Sequence, residues 1–411
     1  MSSEHEGLSL WQVVWYSFVL YLYRAYKFFW SFALRRLSDQ RVKAVVKFEF
    51  MKFGIRLDSG KDKADPVIHD NRFYRRVAKD IHLGLGESYM DGWWDCEDLC
   101  EMLFRIFRSP NLRIPLPMRV FYALGFNGNV NRQLVPKSKN SVEQHYDLGN
   151  DLFINFLDKS MTYSGAYWDQ ADNLAQAQIN KMELIAQKLK LKPGMRVLDL
   201  GSGWGGTAKY LAENHGVSVV GCTISKQQIE YSRRLCQELP MVEFRYDDYR
   251  NISEKFDRVY SIEMIEHVGS KNFRTFFEVA NRCLVDDGLF LVQSSTLMNK
   301  SIPRSEEFVD KYILTNAEMP YDIDLFKYSQ GLFIVEDFHN MSSDFPQTVE
   351  AWYNNFKRNW PKLQRQYDER FYRMWTFYLC NAISLFRARM CHSLQIVMSK
   401  RGLIGGYKAV R

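Results

Sequence analysis

From about residue 180 onward, short apolar runs alternate with stretches whose apolar residues recur at helical spacing. Strand-like runs occur at 195–200 (MRVLDL), 217–223 (VSVVGCT), 242–248 (VEFRYDD), 256–263 (FDRVYSIE) and 288–295 (GLFLVQSS), with helical sequence between most of them. That alternation predicts an α/β fold, a doubly wound, mostly parallel sheet, whose ligands sit outside the carboxyl ends of the strands at a topological switch point.

The pattern before it differs. Residues 41–126 read as a smaller amino-terminal domain of mixed α/β type: VVKFEFMKFGIRL (45–57) alternates in places like a strand, and NRFYRRVAKDIHLG (71–84) has helical spacing. Gly84, Gly86 and Gly92 are expected to punctuate loops, and Asp95 to Asp98 to open a helix with Leu99, Met102, Leu103 and Ile106 on one face. The polar stretch 127–142 has linker composition, which leaves 143–411 as the larger domain and 1–40 as an extension.

In that extension, residues 8–34 (LSLWQVVWYSFVLYLYRAYKFFWSFAL) carry eleven aromatics. The uncharged run stops at Arg24 and Lys27 interrupts the apolar residues beyond it, short of the roughly 20 residues that span a bilayer. Aromatics followed by Arg35 and Arg36 suit a helix lying at headgroup level, peripheral to a membrane; packing on the protein's own surface is the competing reading.

Composition narrows the partners. A chain of 411 residues, 46% apolar and with net charge +7, can bury a sizeable core and favours an anionic partner, a membrane surface or a nucleic acid. The seven cysteines form no repeated CxxC pattern, and the spacing from Cys96 to Cys100 has no second half for a metal site, so reduced thiols in a cytoplasmic protein without bound metal are expected.

The stretch VLDLGSGWGGTAKYL (197–211) reads as strand, bare turn, helix. Gly201, Gly203 and Gly206 satisfy dinucleotide spacing, but the second strand ends at Thr223, where a ribose-binding carboxylate belongs. A pyrophosphate ligand is therefore disfavoured against S-adenosylmethionine, which lacks phosphates. Thr223 to Gln228 and the pair Asp247 and Asp248 would supply its hydroxyl and adenine contacts.

The chain resembles the cyclopropane-fatty-acyl-phospholipid synthases through GLGESYMDGWW (84–94), EQHYDLGNDLF (143–153), MTYSGAYW (161–168), LKPGMRVLDLGSGWGG (191–206), VVGCTISKQQ (219–228), EMIEHVG (263–269), AWYNNF (351–356) and FRAR (386–389). The resemblance implies a Rossmann-like class I methyltransferase that adds a methylene from S-adenosylmethionine to the cis double bond of an unsaturated phospholipid in a membrane. A bound bicarbonate would serve as base; no nucleic acid is expected, and a homodimer is allowed. It assigns the cofactor to Tyr163, Ser164, Asp199, Gly201, Gly203, Gly205, Thr223, Gln228, Asp248 and Tyr249. The bicarbonate cradle falls to Gly165, Glu266, Gln293, Tyr353 and backbone near Ser295, with His267 as a catalytic residue or else a capping or core histidine. Gly165 and Gln293 stand where the bacterial pattern has cysteine and histidine, and Glu263 is an added carboxylate, expected to support the cradle in preference to acting as a base. Transfer of an intact methyl to a lipid or an amine, and a pseudo-enzyme that has lost the cradle, are the alternatives. The aromatics of FYRMWTFYLCNAISLFRAR (371–389) read either as core or as cover for an acyl pocket.

Overall fold

A computed structural model describes residues 10–112, 131, 133, 149–298, 300 and 302–411. Most of the linker stretch 127–142, and the first six residues of the motif at 143–153, lie outside the described residues. The chain forms two compact units, each discontinuous in sequence where a contiguous division was expected: one contains residues 1–131, 300–314 and 360–390, the other 132–299, 315–359 and 391–411.

The larger unit holds a seven-stranded sheet. Its strands are β1 (Arg196–Leu200), β2 (Ser218–Thr223), β3 (Val242–Tyr246), β4 (Phe256–Ile262), β5 (Leu284–Leu297), β6 (Ile334–Asn340) and β7 (Cys391–Ser399), in the order β3-β2-β1-β4-β5-β7-β6. The first five run parallel, and each contains or overlaps one of the expected apolar runs. The last two pair antiparallel at one edge and were not anticipated. Helix Leu174–Lys188 leads into β1, and helices Gly206–His215, Lys226–Leu235 and Phe273–Cys283 connect strands of the parallel part. Among the described residues, two apolar clusters cover the sheet. One gathers Val197, Leu211, Val219 and Leu291; the other gathers Leu198, Val259, Phe276, Phe277 and Phe290. Neighbouring strand residues thus face opposite clusters, as a sheet covered on both faces requires. Chain order reverses at β1, which hydrogen-bonds to β2 on one side and β4 on the other, and this is the switch point where a crevice opens.

Among its described residues the smaller unit is mainly helical, with one antiparallel strand pair, Val67–Ile68 with Trp94–Asp95. The strand reading at 45–57 gives way to helix Asp39–Met51, because Val42, Val46 and Phe50 recur every fourth residue and are buried together on one face. Residues Arg72–Met90 form two helical pieces joined by a kink at Ile81 (φ +47°), and Gly84 and Gly86 lie in the second piece and not in loops. A Cβ at Gly84 would collide with Arg76 O and one at Gly86 with the Phe308 ring, so close packing overrides their helix-weakening entropy. Helix Leu99–Arg108 forms as spaced, capped by Asp98, whose carboxylate accepts from Glu101 N at 2.9 Å. Helix Glu369–Arg387 buries Met374, Trp375, Phe377 and Leu379, packing against those two helices. Of its aromatics, Trp375, Phe377 and Phe386 are buried and Phe371, Tyr372 and Tyr378 are half-buried.

Helix Leu10–Arg36 presents two apolar faces. Val19 and Leu34 are buried, Lys27 Nζ pairs with Asp80 at 3.1 Å, and Trp30 Nε1 donates to Ala78 O at 3.0 Å, which docks one face on the smaller unit. Trp11, Phe18, Tyr21, Leu22, Phe28, Phe29 and Phe32 stay exposed on the rest of the helix. Among the described residues no helix is long and apolar enough to cross a membrane.

Candidate active site

The turn after β1 is shaped by glycines in the left-handed region: Gly201 (φ +92°), Gly203 (φ +53°) and Gly205 (φ +87°). A Cβ at Gly201 would lie 2.5 Å from Met264 Cγ and one at Gly205 2.7 Å from Phe244 Cζ, so those two are fixed by packing as well as by backbone. A Cβ at Gly203 would meet no protein atom within 4 Å. Gly203 instead borders a cavity of about 150 Å³ above the carboxyl ends of β1 and β2. All ten residues expected to hold the cofactor line it: Tyr163, Ser164, Asp199, Gly201, Gly203, Gly205, Thr223, Gln228, Asp248 and Tyr249.

The polar lining is largely tied down before any ligand arrives. Thr223 Oγ1 donates to Gln228 Oε1 at 2.8 Å and accepts from Ser225 N at 3.2 Å, which turns the Gln228 amide nitrogen away from that pair. Asp248 caps the turn Tyr249–Asn251 and binds Arg250 Nε at 2.7 Å and Nη2 at 2.8 Å. Asp199 accepts from Tyr260 OH at 2.8 Å, and burial pushes its carboxyl up to about 7 in spite of that bond. With Asp199, Asp247, Asp248 and Glu263 around one cavity and Arg250 engaged by Asp248, the lining favours a cationic ligand over a pyrophosphate. A sulfonium with an ammonium group fits this lining.

Of the five residues expected to be catalytic, His267 lines the cavity; Glu266, Gln293, Gly165 and Tyr353 do not. Burial holds the His267 imidazole down at about 4, which favours the neutral ring, with one N–H and one acceptor nitrogen, near pH 7. Glu266 is buried. Its Oε1 accepts from Ser294 Oγ at 2.9 Å and Ser295 N at 2.6 Å, while Oε2 has no partner among the described residues. Burial first, and then the neighbouring Glu263 charge, push its carboxyl up to about 8. Tyr353 is half-buried on helix Asp344–Leu363, with Lys357 Nζ 5.1 Å from its ring centroid.

Gly165 and Gln293 do come together, around Glu263. Gly165 N donates to Glu263 Oε1 at 2.9 Å, and Gln293 Nε2 donates to the same oxygen at 3.1 Å and to Gly165 O at 3.0 Å. Ser295 N is likewise committed to Glu266. These donors of the expected bicarbonate cradle are therefore spent on protein carboxylates, and the residues present do not fit a bound bicarbonate.

Residues 134–396 match the family described as mycolic acid cyclopropane synthetase. Cyclopropane-fatty-acyl-phospholipid synthase of Escherichia coli K12 is 42% identical over 356 residues, 86% of this chain and 92% of that protein. The chain belongs to the mycolic acid cyclopropane synthetase family. Sphingolipid C9-methyltransferase A of Emericella nidulans is 29% identical over 83% of this chain and 72% of its own length. Among solved structures, cyclopropane synthase MmaA2 from Mycobacterium tuberculosis superposes with a TM-score of 0.61 at 28% identity, covering 64% of this chain and 98% of its own. Mycolic acid cyclopropane synthase CmaA1 complexed with SAH and CTAB gives 0.61 at 29% identity, over 64% of this chain and 98% of its own. As a member of the mycolic acid cyclopropane synthetase family, the chain is an S-adenosylmethionine-dependent methyltransferase.

Two features of this family member escaped the sequence reading. Trp204 lines the cavity and donates from Nε1 to Asn150 Oδ1 at 2.8 Å. Lys181 is fully buried on helix Leu174–Lys188, donates to Ser164 Oγ at 2.7 Å, and is pulled down to about 8 by burial while the Glu263 charge opposes that shift. A signal was available: Ala177, Lys181, Leu184 and Lys188 recur at helical spacing, which puts two lysines on an apolar face.

Proposed function

We propose that this chain transfers a methylene from S-adenosylmethionine to the cis double bond of an unsaturated phospholipid acyl chain, giving a cyclopropane. The observation that carries this reading is the cavity itself: bare glycines on one side, carboxylates matched to a cationic ligand around it, and Glu263 with its fixed donors at the border. The 42% identity to the Escherichia coli phospholipid synthase supports the acyl substrate. When bound, the cofactor supplies an electrophilic methyl on a sulfonium. The chain's own groups then have three tasks. Gly201, Gly203 and Gly205 let the ligand approach the backbone, Thr223, Gln228, Asp248 and Tyr249 hold its nucleoside end, and Tyr163 and Ser164 close over it. Asp199 is ionised by a nearby cation, because opposite charge reverses the effect of burial. Orienting a weakly nucleophilic alkene and excluding water from the ensuing cation complete the work. Bicarbonate, with Gly165, Glu266, Gln293 and Tyr353 as its cradle, is the base the family resemblance implies; with its donors committed to protein carboxylates, no step is routed through it.

The substrate lies in a bilayer, and helix Leu10–Arg36 is the segment we assign to the membrane surface. Its open aromatic face, with Arg24, Arg35 and Arg36 exposed, suits peripheral attachment to anionic headgroups.

Incubating the purified protein with labelled cofactor and vesicles of unsaturated phospholipid tests the reaction. A mass gain of one methylene on the acyl chain, with fragmentation showing a ring, is expected. The sphingolipid C9-methyltransferase relatives support a methyl branch as the second reading, which the same fragmentation separates. Unmodified acyl chains with the cofactor bound would refute both.

A further inference from the structure

Glu263 is held by a chain of hydrogen bonds whose direction is forced from its far end. Lys188 is fully buried and its ammonium can only donate; Nζ reaches Gln395 Oε1 at 2.9 Å. That fixes the Gln395 amide, whose Nε2 donates to Gln293 Oε1 at 2.8 Å, and so fixes Gln293 with its Nε2 turned to Glu263. An oriented amide delivered in this way needs an acceptor at its end, and so does the Gly165 N–H beside it. One carboxylate oxygen, Glu263 Oε1, serves both. Gly165 makes room for it: a Cβ there would lie 3.3 Å from that oxygen and 2.8 Å from Phe345 Cδ2, which explains why the bacterial cysteine is absent where the added carboxylate is present.

The backbone at Glu263 is strained. Its φ is +46°, a region that side chains larger than glycine rarely occupy, and the bond from its N–H to Gln293 O at 2.8 Å holds it there. Strain kept at a residue bordering a cavity points to use of its side chain.

We propose that Glu263 is the base of the ring-closing step, its carboxylate standing where the family resemblance places bicarbonate. This rests on the methylene-transfer reading above. The alkene's π pair forms the first new C–C bond to the methyl carbon while the S–C pair leaves with sulfur. The cation on the other alkene carbon is then quenched by a C–H pair of that methyl, which becomes the third ring bond, and the proton passes to Glu263 Oε. Product release opens the cavity and returns that proton to water. Burial raises the Glu263 carboxyl above its ordinary value, while the Gly165 N–H, the Lys181 charge and the Gln293 amide oppose that rise. Gln293, Gln395 and Lys188 are positioning residues.

The test uses bicarbonate as the probe. Titrated calorimetrically into ligand-free protein, it should give no binding heat with wild type and a binding isotherm with Glu263→Gly, in which the Gly165 N–H and Gln293 amide are released. In bicarbonate-depleted buffer wild type should form rings at an undiminished rate. Glu263→Gln should lose about 100-fold or more in kcat at saturating cofactor, and added bicarbonate should restore part of the rate to Glu263→Gly. Bicarbonate binding by wild type, ring formation that collapses on depletion, or a wild-type rate in Glu263→Gln would overturn Glu263 as base while leaving the reaction standing. Cofactor binding without acyl modification, with or without bicarbonate, would overturn the reaction and this base together.

Discussion

Glu266→Gln should change how stability depends on pH, and the size of the change follows from the burial of one carboxyl. Glu266 is raised from 4.5 to about 8 in the folded protein. Between those values the native state holds a proton that the unfolded chain has lost, so the free energy of unfolding falls as pH rises. Its contribution is fully present below the unfolded value and lost as pH climbs through the folded one. Each pH unit across that window costs about 1.4 kcal/mol, and the whole window costs wild type roughly 5 kcal/mol at most. Glutamine keeps the acceptor that Ser294 Oγ and Ser295 N require but puts an amide nitrogen where Oε2 has no partner, a penalty of about 1–3 kcal/mol at every pH. The two stability curves should therefore cross. The variant should be the less stable protein near about pH 5 and the more stable one near about pH 9. Urea denaturation of both proteins across that range is the assay, and the difference between them reports Glu266 together with its coupling to Glu263. Parallel curves would show that Glu266 is ionised at neutral pH, and the carboxylate pair would need the opposite protonation.

Other substitutions test the remaining parts. Gly203→Leu should abolish S-adenosylmethionine binding in calorimetry at a stability cost of only about 1–2 kcal/mol, because its Cβ meets no protein atom and only the positive φ is strained. Unchanged cofactor affinity would move the ligand elsewhere. Gly165→Cys, the bacterial residue, should lower thermal stability by an amount equivalent to about 1–3 kcal/mol, since Phe345 and Glu263 must both give way, and a neutral effect would mean that the site repacks freely. Joint Phe28→Glu and Phe29→Glu substitution should reduce flotation with anionic vesicles while leaving activity on detergent-dispersed lipid intact; full vesicle binding would assign the exposed helix face another task. Lys181→Met should move the acidic limb of the pH–rate profile upward at saturating cofactor, because Glu263 loses the cation that draws its carboxyl down. An unmoved profile would separate the two groups.

The runs of β1, β2, β4 and β5 were legible because each is a local property: a short, mostly apolar run needs burial wherever it goes, while β3 was legible from its place in the alternation of strand and helix. The glycine turn was legible for the same reason, since positive φ demands glycine at the position itself, and the ten residues read as cofactor contacts do border one cavity. Local reading failed at VVKFEFMKFGIRL, where alternation and helical spacing coexist and packing of Val42, Val46 and Phe50 chose the helix. Gly84 and Gly86 failed likewise, because the neighbours that exclude a Cβ, Arg76 O and the Phe308 ring, are not readable as contacts along the chain. The edge pair β6 and β7 depends on pairing across the chain's end and leaves no local mark that separates it from other short apolar stretches. Most of all, the carboxylate at 263 could be seen in the sequence but its task could not. Gly165, Gln293, Gln395 and the helix carrying Lys181 and Lys188 are far apart in the chain, and only the fold joins them in one network around Glu263. Hydrogen-bond direction and electrostatic attraction act over a few ångströms of space, whatever the distance along the chain.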